Sequence, residues 1–169
     1  MLVELKRYKS MKLLINLNNC IACKACEIAC EKEHNGISFI TVIETDNTAL
    51  PITCRHCEKA PCLENCPTKA IYKDKNGTIL INQNKCIGCY MCYIACPYGI
   101  PVIDIKQSVA FKCDLCQKRI NQGLEPICVA VCPTQTLVFD DPIRFAIYKK
   151  QNAVKNLIRG AKDEIRFSV

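Results

Sequence analysis

No apolar run in the 169-residue sequence approaches the ~18 residues needed to span a bilayer, which argues against a membrane-integral chain. Met1 to Asn19 holds lysines and the short run Leu13-Leu14-Ile15. It has no sustained apolar stretch, small-residue cleavage site or twin arginine, so no export signal is expected and the reading is cytoplasmic. A P-loop, a Gly-x-Gly-x-x-Gly fingerprint and a nucleophile–base arrangement are all missing, and catalysis by the chain itself is not expected. Apolar residues are also scarce once cysteine is set apart. Half the residues count as hydrophobic, but without cysteine the fraction is about 40%. That is thin for a conventional core and calls for covalent or metal staples.

What the sequence has in excess is cysteine, 16 in all. In a reducing compartment a disulfide scaffold is disfavoured and metal is the better reading. The cysteines fall into four quartets with none left over. Cys20, Cys23, Cys26 and Cys30 read C-x2-C-x2-C-x3-C. Cys54, Cys57, Cys62 and Cys66 read C-x2-C-x4-C-x3-C, followed by Pro67. Cys86, Cys89, Cys92 and Cys96 repeat the first spacing and end in Pro97. Cys113, Cys116, Cys128 and Cys132 read C-x2-C-x11-C-x3-C and end in Pro133.

The quartets expose an internal duplication. The first maps onto the third by an offset of 66, as do Cys62 and Cys66 onto Cys128 and Cys132, while Cys54 and Cys57 map by 59. Neighbouring residues agree: Cys20-Ile21-Ala22-Cys23 matches Cys86-Ile87-Gly88-Cys89, and Cys66-Pro67-Thr68 matches Cys132-Pro133-Thr134. Structural zinc usually takes two separated C-x2-C knuckles. Three cysteines crowded into seven residues, with a fourth three residues on, suit three corners of one cubane and one corner of another. The cofactors read from this pattern are four [4Fe–4S] clusters.

Between quartets the sequence reads as short hairpins. Ala70-Ile71-Tyr72-Lys73 and Thr78-Ile79-Leu80-Ile81 flank an Asn-Gly turn. Ile37 to Ile43 and Pro101 to Ile105 read as further β segments. Stretches such as Met91 to Cys96 read as single helical turns stopped by the following proline. Ile21, Ile28, Ile87 and Ile94 are expected to pack on the clusters and exclude water. His56 reads as a neighbour donating a hydrogen bond rather than a ligand, and His34 as a solvated turn residue. Lys118 and Arg119 read as a surface pair, and Tyr90, Tyr93 and Tyr98 as packing or interface residues.

Two stretches carry a family resemblance. They are Cys86-Ile-Gly-Cys-Tyr-Met-Cys-Tyr-Ile-Ala-Cys-Pro-Tyr-Gly and Phe111-Lys-Cys-Asp-Leu-Cys-Gln-Lys-Arg with its long gap to Cys128-Val-Ala-Val-Cys-Pro-Thr. From about Met11 to Asp141 the chain resembles the four-cluster ferredoxin subunits of molybdenum or tungsten oxidoreductases and hydrogenase complexes. The resemblance implies an α+β fold of tandem ferredoxin-like modules. One would span 20–53 and 97–141, the other, inserted, 54–96. It implies crossed ligand sets: Cys20, Cys23, Cys26 with Cys132; Cys113, Cys116, Cys128 with Cys30; Cys54, Cys57, Cys62 with Cys96; Cys86, Cys89, Cys92 with Cys66. The duplication alone equally allows first with second and third with fourth. The short versions of the family most resembled are HycB-like small subunits of hydrogenase and formate dehydrogenase complexes. Implied partners are therefore formate dehydrogenase or hydrogenase catalytic subunits, as in a hydrogen-dependent CO2 reductase, with a paralogous iron–sulfur subunit besides. The alternatives are service to CO dehydrogenase or another molybdopterin oxidoreductase, and, remotely, a structural metal module. One departure is Pro133-Thr134-Gln135-Thr136, where relatives usually have glycine and alanine after the threonine. Residues 1–19 read as an N-terminal segment with the first strand, and because the resemblance begins near Met11, that residue is a second candidate start.

From 142 onward the sequence carries no cysteine. Asp140 or Asp141 is read as a helix cap with Pro142 at the first position. Ile147, Val154, Leu157, Ile158, Ala161 and Ile165 recur at helical spacing among basic residues, and the reading is a helix for subunit docking or self-association. The formal net charge of +7 first suggests nucleic acid. A [4Fe–4S] core with four thiolates carries about −2, so four bring the total to about −1. The basic excess lies in the two end segments and the cysteine-bearing body is acidic, so no nucleic-acid partner is expected.

Overall fold

In a computed structural model, residues 11–17 and 19–166 are described, with side chains as far as 158. The extension before Met11 lies outside them. Among the described residues eight short strands pair as two-stranded antiparallel ribbons, and helices lie between them. Strand β1 (Lys12–Ile15) pairs with β8 (Leu137–Asp140), Lys12 opposite Asp140 and Ile15 opposite Leu137. This ribbon closes the ends of the cysteine-bearing body on one another. The β2 (Ile40–Thr45) and β3 (Thr48–Thr53) ribbon places Val42 opposite Pro51. A proline here removes one donor, which a two-stranded ribbon tolerates because each strand has a free edge.

The hairpin expected around the Asn-Gly turn is β4 (Ile71–Lys73) with β5 (Ile79–Ile81). Gly77 supplies a positive φ of 83°, and Asp74 Oδ1 accepts from the Asn76 and Thr78 amides at 2.9 and 2.7 Å. The β6 (Val102–Asp104) and β7 (Val109–Phe111) ribbon is its neighbour in sequence. Strand β3, which includes Pro51, is an element the sequence reading did not identify.

The short helices are α1 (Ala25–Glu33), α2 (Pro61–Glu64), α3 (Met91–Ile94), α4 (Gln117–Asn121) and α5 (Ile127–Ala130). Of these, α1, α2, α3 and α5 carry the third cysteine of a quartet and α1 the fourth as well. Single turns hold for α2, α3 and α5, each followed within a few residues by a Cys-Pro step. In contrast, α1 runs nine residues, because Glu31 and not proline follows Cys30. Helix α1 packs on α5, and α2 on α3.

Two apolar clusters result. One gathers Leu13, Phe39, Ile40, Val42, Leu115, Ile120, Leu137 and Phe139 around Cys26, Cys30, Cys113 and Cys128. The other gathers Ala60, Ile71, Ile79 and Ala110 around Cys92, with Cys57, Cys62, Cys66 and Cys86 against it. Short strands and turns thus converge on sulfur rather than on a continuous sheet, as an α+β set of small modules does.

Helix α6 (Pro142–Arg166) follows β8 directly. Asp141 caps it, its Oδ1 accepting from the Ile143 and Arg144 amides at 2.9 and 3.3 Å, and Pro142 opens it as expected. Ile143, Ile147, Val154, Leu157 and Ile158 are exposed. No helix among the described residues is long and apolar enough to cross a membrane.

Candidate iron–sulfur centres

The loops that carry the first two cysteines of each quartet curl through left-handed backbone. Ala22, Lys24, Gly88 and Tyr90 have φ of 55, 57, 64 and 64°, so the first pair recurs in the second at the offset of 66. His56 and Leu115 (44 and 60°) correspond at the offset of 59, and Lys69 and Gln135 (both 52°) at 66. The duplication is therefore written in the backbone as well as in the cysteines. Alternating right- and left-handed residues turn successive N–H groups toward one point, a concavity suited to an anionic cluster. The Leu115 amide donates to Cys113 Sγ at 3.4 Å, Phe39 to Cys30 Sγ at 3.3 Å and Ala110 to Cys86 Sγ at 3.3 Å.

Cysteines come together across quartets. One cavity is lined by Cys54, Cys57, Cys62 and Cys96, with Ile79, Tyr98, Pro101 and Lys112 closing it. A second is lined by Cys66, Cys86, Cys89 and Cys92, with Ala70, Ile71, Ile103 and Ala110. In the other half of the body, Cys26 is close enough to feel Cys132, and Cys128 feels Cys113, Cys116 and Cys30. All sixteen cysteines are free thiols, so the donor set is intact for soft metal, and four sulfurs line each of the two cavities. A more open cleft of about 680 Å3 between the β4–β5 ribbon and the end of α1 contains one cysteine, Cys113, and is no cluster site.

Burial grades the thiols. It pushes Cys26 and Cys62 up to about 11 and raises Cys113 and Cys128 further. For Cys66 and Cys132 burial pulls upward too, yet hydrogen bonds outweigh it and the thiols end lowered. The donors are the amides that follow each Cys-Pro step and the Thr68 and Thr134 hydroxyls, 3.7 and 3.8 Å away. Buried thiols that resist ionisation give up their protons when metal binds. Cys23 and Cys89 are the exposed members.

Several side chains depart from expectation. Ile21, Ile28, Ile87 and Ile94 are 62–71% exposed. They lie at the rims, and water exclusion falls to Ala70, Ile71, Ile79, Ile103 and Ala110 from the hairpins. His34 is no solvated turn residue. It ends α1 half-buried against Phe39, Nδ1 2.9 Å from the Cys30 carbonyl and Nε2 3.2 Å from Asp114 Oδ1. Both nitrogens face acceptors, an arrangement that favours the protonated ring. Asp114 first, then the Cys116 and Cys30 sulfurs, raise it to about 12. His56 is 6% exposed, but its Nδ1 accepts from the Ile79 amide at 3.1 Å rather than donating. The proton then sits on Nε2, which has no partner. Burial holds this ring neutral, its pKa lowered to about 3. Lys118 is exposed, and Arg119 Nε donates to the Glu125 carbonyl at 3.0 Å. Tyr90, Tyr93 and Tyr98 are exposed, in keeping with an interface. The residue missed altogether is Lys112, buried beside Cys113. Its signal was a charge set between Phe111 and a ligand.

Residues 45–142 match a 4Fe-4S dicluster domain, and residues 17–33 a 4Fe-4S binding domain. The chain is 38% identical over 141 residues to the thiosulfate reductase electron transfer subunit PhsB of Salmonella typhi, covering 75% of this chain and 73% of that protein. This chain belongs to the ferredoxin-like 4Fe-4S electron-transfer subunits. Other members are the B subunit of the anaerobic dimethyl sulfoxide reductase of Escherichia coli K12, 35% identical over 144 residues (74% of this chain, 70% of that one), and the same organism's ferredoxin-like protein YdhX, 35% identical over 150 residues (80% and 68%). As a ferredoxin-like electron-transfer subunit the chain carries several [4Fe–4S] clusters, and its thiols suffice for four.

Proposed function

We propose that this chain relays electrons through four [4Fe–4S] clusters to or from the catalytic subunit of a molybdopterin oxidoreductase. The observation that carries the reading is the grouping of thiols from different quartets around common cavities, Cys54, Cys57 and Cys62 with Cys96, and Cys86, Cys89 and Cys92 with Cys66. Cys113 lies within electrostatic reach of Cys54, and Cys128 of Cys30 and Cys26. Four sets in line would then be Cys20, Cys23, Cys26 and Cys132; Cys30, Cys113, Cys116 and Cys128; Cys54, Cys57, Cys62 and Cys96; and Cys66, Cys86, Cys89 and Cys92. Cubanes bound there supply one-electron chemistry, at potentials set by burial and hydrogen bonds to sulfur. The residues divide the labour. The inner set of Cys113, Cys116 and Cys128 is buried, whereas each outer set has one exposed cysteine, Cys23 or Cys89, through which a partner's redox centre can approach. Exposed Tyr90 beside Cys89, with exposed Tyr93, Ile94 and Tyr98 after it in the chain, supplies a contact surface.

Two modules, 20–53 with 97–141 and the inserted 54–96, would each hold two of these sets, and α6 would dock the partner. The relatives named above serve thiosulfate and dimethyl sulfoxide reductases, which favours a molybdopterin oxidoreductase over the hydrogenase and formate dehydrogenase pairing of the HycB-like resemblance. Anaerobic purification of the native complex tests this. About sixteen irons per chain with a broad, reducible visible absorption, and molybdenum or tungsten in the co-purifying subunit, are expected. Four zincs without colour, or a partner carrying an iron-only hydrogenase centre, would overturn it.

A further inference from the structure

We propose that Lys112 is a fixed cation that raises the reduction potential of the centre formed by Cys54, Cys57, Cys62 and Cys96. This rests on that set holding a [4Fe–4S] cluster. Lys112 is 6% exposed. Its Nζ donates to the Ile79 carbonyl, to the Cys113 carbonyl at 2.8 Å and to Cys54 Sγ at 3.7 Å. Three donors on three acceptors is the full capacity of an ammonium. The same side chain lines the cavity enclosed by the four cysteines.

Two carbonyls and a thiol do not repay burial of a full charge, which costs several kcal/mol without an anion beside it. None of the ion pairs among the described residues involves Lys112. The anion this geometry awaits is a cluster with four thiolates, about −2 oxidised and −3 reduced. A nearby cation favours the reduced, more negative form, so the potential rises.

The duplication shows that the fold itself does not require the charge. At the offset of 59 the counterpart of Lys112 is Thr53, equally buried, whose hydroxyl donates to the Phe39 carbonyl at 2.9 Å. One half holds the position with a neutral hydroxyl, the other with a cation. Ile79 links this cation to His56, giving its carbonyl to Lys112 and its amide to His56 Nδ1.

The test is a redox titration of anaerobically purified holoprotein, following each cluster by electron paramagnetic resonance with mediators supplying single electrons. Lys112→Met should lower one midpoint by about tenfold in the reduction equilibrium, which is about 59 mV for a one-electron couple. Lys112→Arg should keep the original value. Four unchanged midpoints in Lys112→Met with full iron content would overturn the proposal. Should Lys112→Met lose iron, unmodified protein made with 15N-lysine decides. A lysine nitrogen coupled to one reduced cluster supports the proposal, and its absence from all of them overturns it. Unmodified protein without iron would mark failure of the cluster reading instead.

Discussion

The Cys54–Cys57 and Cys113–Cys116 loops are the same device built twice with different polarity. Each bends through a left-handed residue at the same point, His56 (φ 44°) or Leu115 (φ 60°), and both side chains are 6% exposed. Leu115 joins the apolar cluster with Ile120 and Phe139. His56 holds the Ile79 amide and leaves Nε2 unpartnered. Next to the loops stand Thr53 and Lys112. Backbone geometry has been kept because cluster binding demands it, and side chains have diverged because each centre needs its own surroundings. Duplication supplies the cradle and substitution sets its electrostatics.

The most severe way to break this comparison is to exchange the loop residues. Leu115→His replaces a packed apolar side chain of the cluster around Leu13, Ile120 and Phe139 with an imidazole. The lost packing and the buried polar ring should cost about 3–5 kcal/mol and release iron from the neighbouring centre. The reverse, His56→Leu, leaves one buried amide unpaired and should cost about 1–3 kcal/mol, with all sixteen cysteines still loaded. Iron content and the urea midpoint for loss of visible absorption check both. If His56→Leu proves the more damaging, the polarity of the two loops has been misread.

A smaller effect separates Ala22 from Gly88, its counterpart at the offset of 66. A Cβ on Gly88 would lie 2.5 Å from the Ser108 carbonyl oxygen in the β6–β7 turn, and φ is +64°. Ala22 adopts φ 55° with its methyl in place. Gly88→Ala should therefore destabilise by more than about 1 kcal/mol. Ala22→Gly should be neutral or slightly stabilising, read by the same urea midpoint. Equal behaviour at both positions would show that the turn at Ser108 gives way.

Much of this was legible in the sequence, and the reasons are local. Cysteine spacing, the Asn-Gly hairpin and the Asp141–Pro142 helix start depend on residues within a turn of one another, so pattern suffices. Strand β3 escaped notice because Pro51 argues against a strand unless the partner leaves an edge free, which only the ribbon pairing reveals. The rim isoleucines were misjudged because a residue beside a ligand in sequence is not thereby beside it in space. Exposure of Ile28 and Ile94 follows from which face of α1 meets α5 and which face of α3 meets α2. His34 and Lys112 take their roles from partners far along the chain, Asp114 and Cys54, and no local pattern encodes those meetings. The crossed ligand sets come from the family resemblance, and what local spacing does not encode is that α1 lies on α5 and α2 on α3.

The mildest test concerns Lys69 and Gln135, both held at φ 52° just after a Cys-Pro-Thr step. Lys69 and Gln135 donate amides to the Cys66 and Cys132 carbonyls at 3.2 and 3.3 Å, so the turn is the same in both halves. A side chain in the left-handed region costs about 1–2 kcal/mol, whereas glycine has no such penalty but loses more chain entropy on folding. Gln135→Gly should therefore stabilise by about 1 kcal/mol, and Lys69→Gly by a similar amount. Gln135 differs in one respect: Thr134 and Thr136 hydroxyls lie 2.8 Å apart across it, and Thr136 is almost fully buried. That contact already fixes the loop, so glycine at 135 costs little order and its gain should be the larger of the two. A larger gain at Lys69 would mean that the threonine pair does not stiffen the loop beside Cys132.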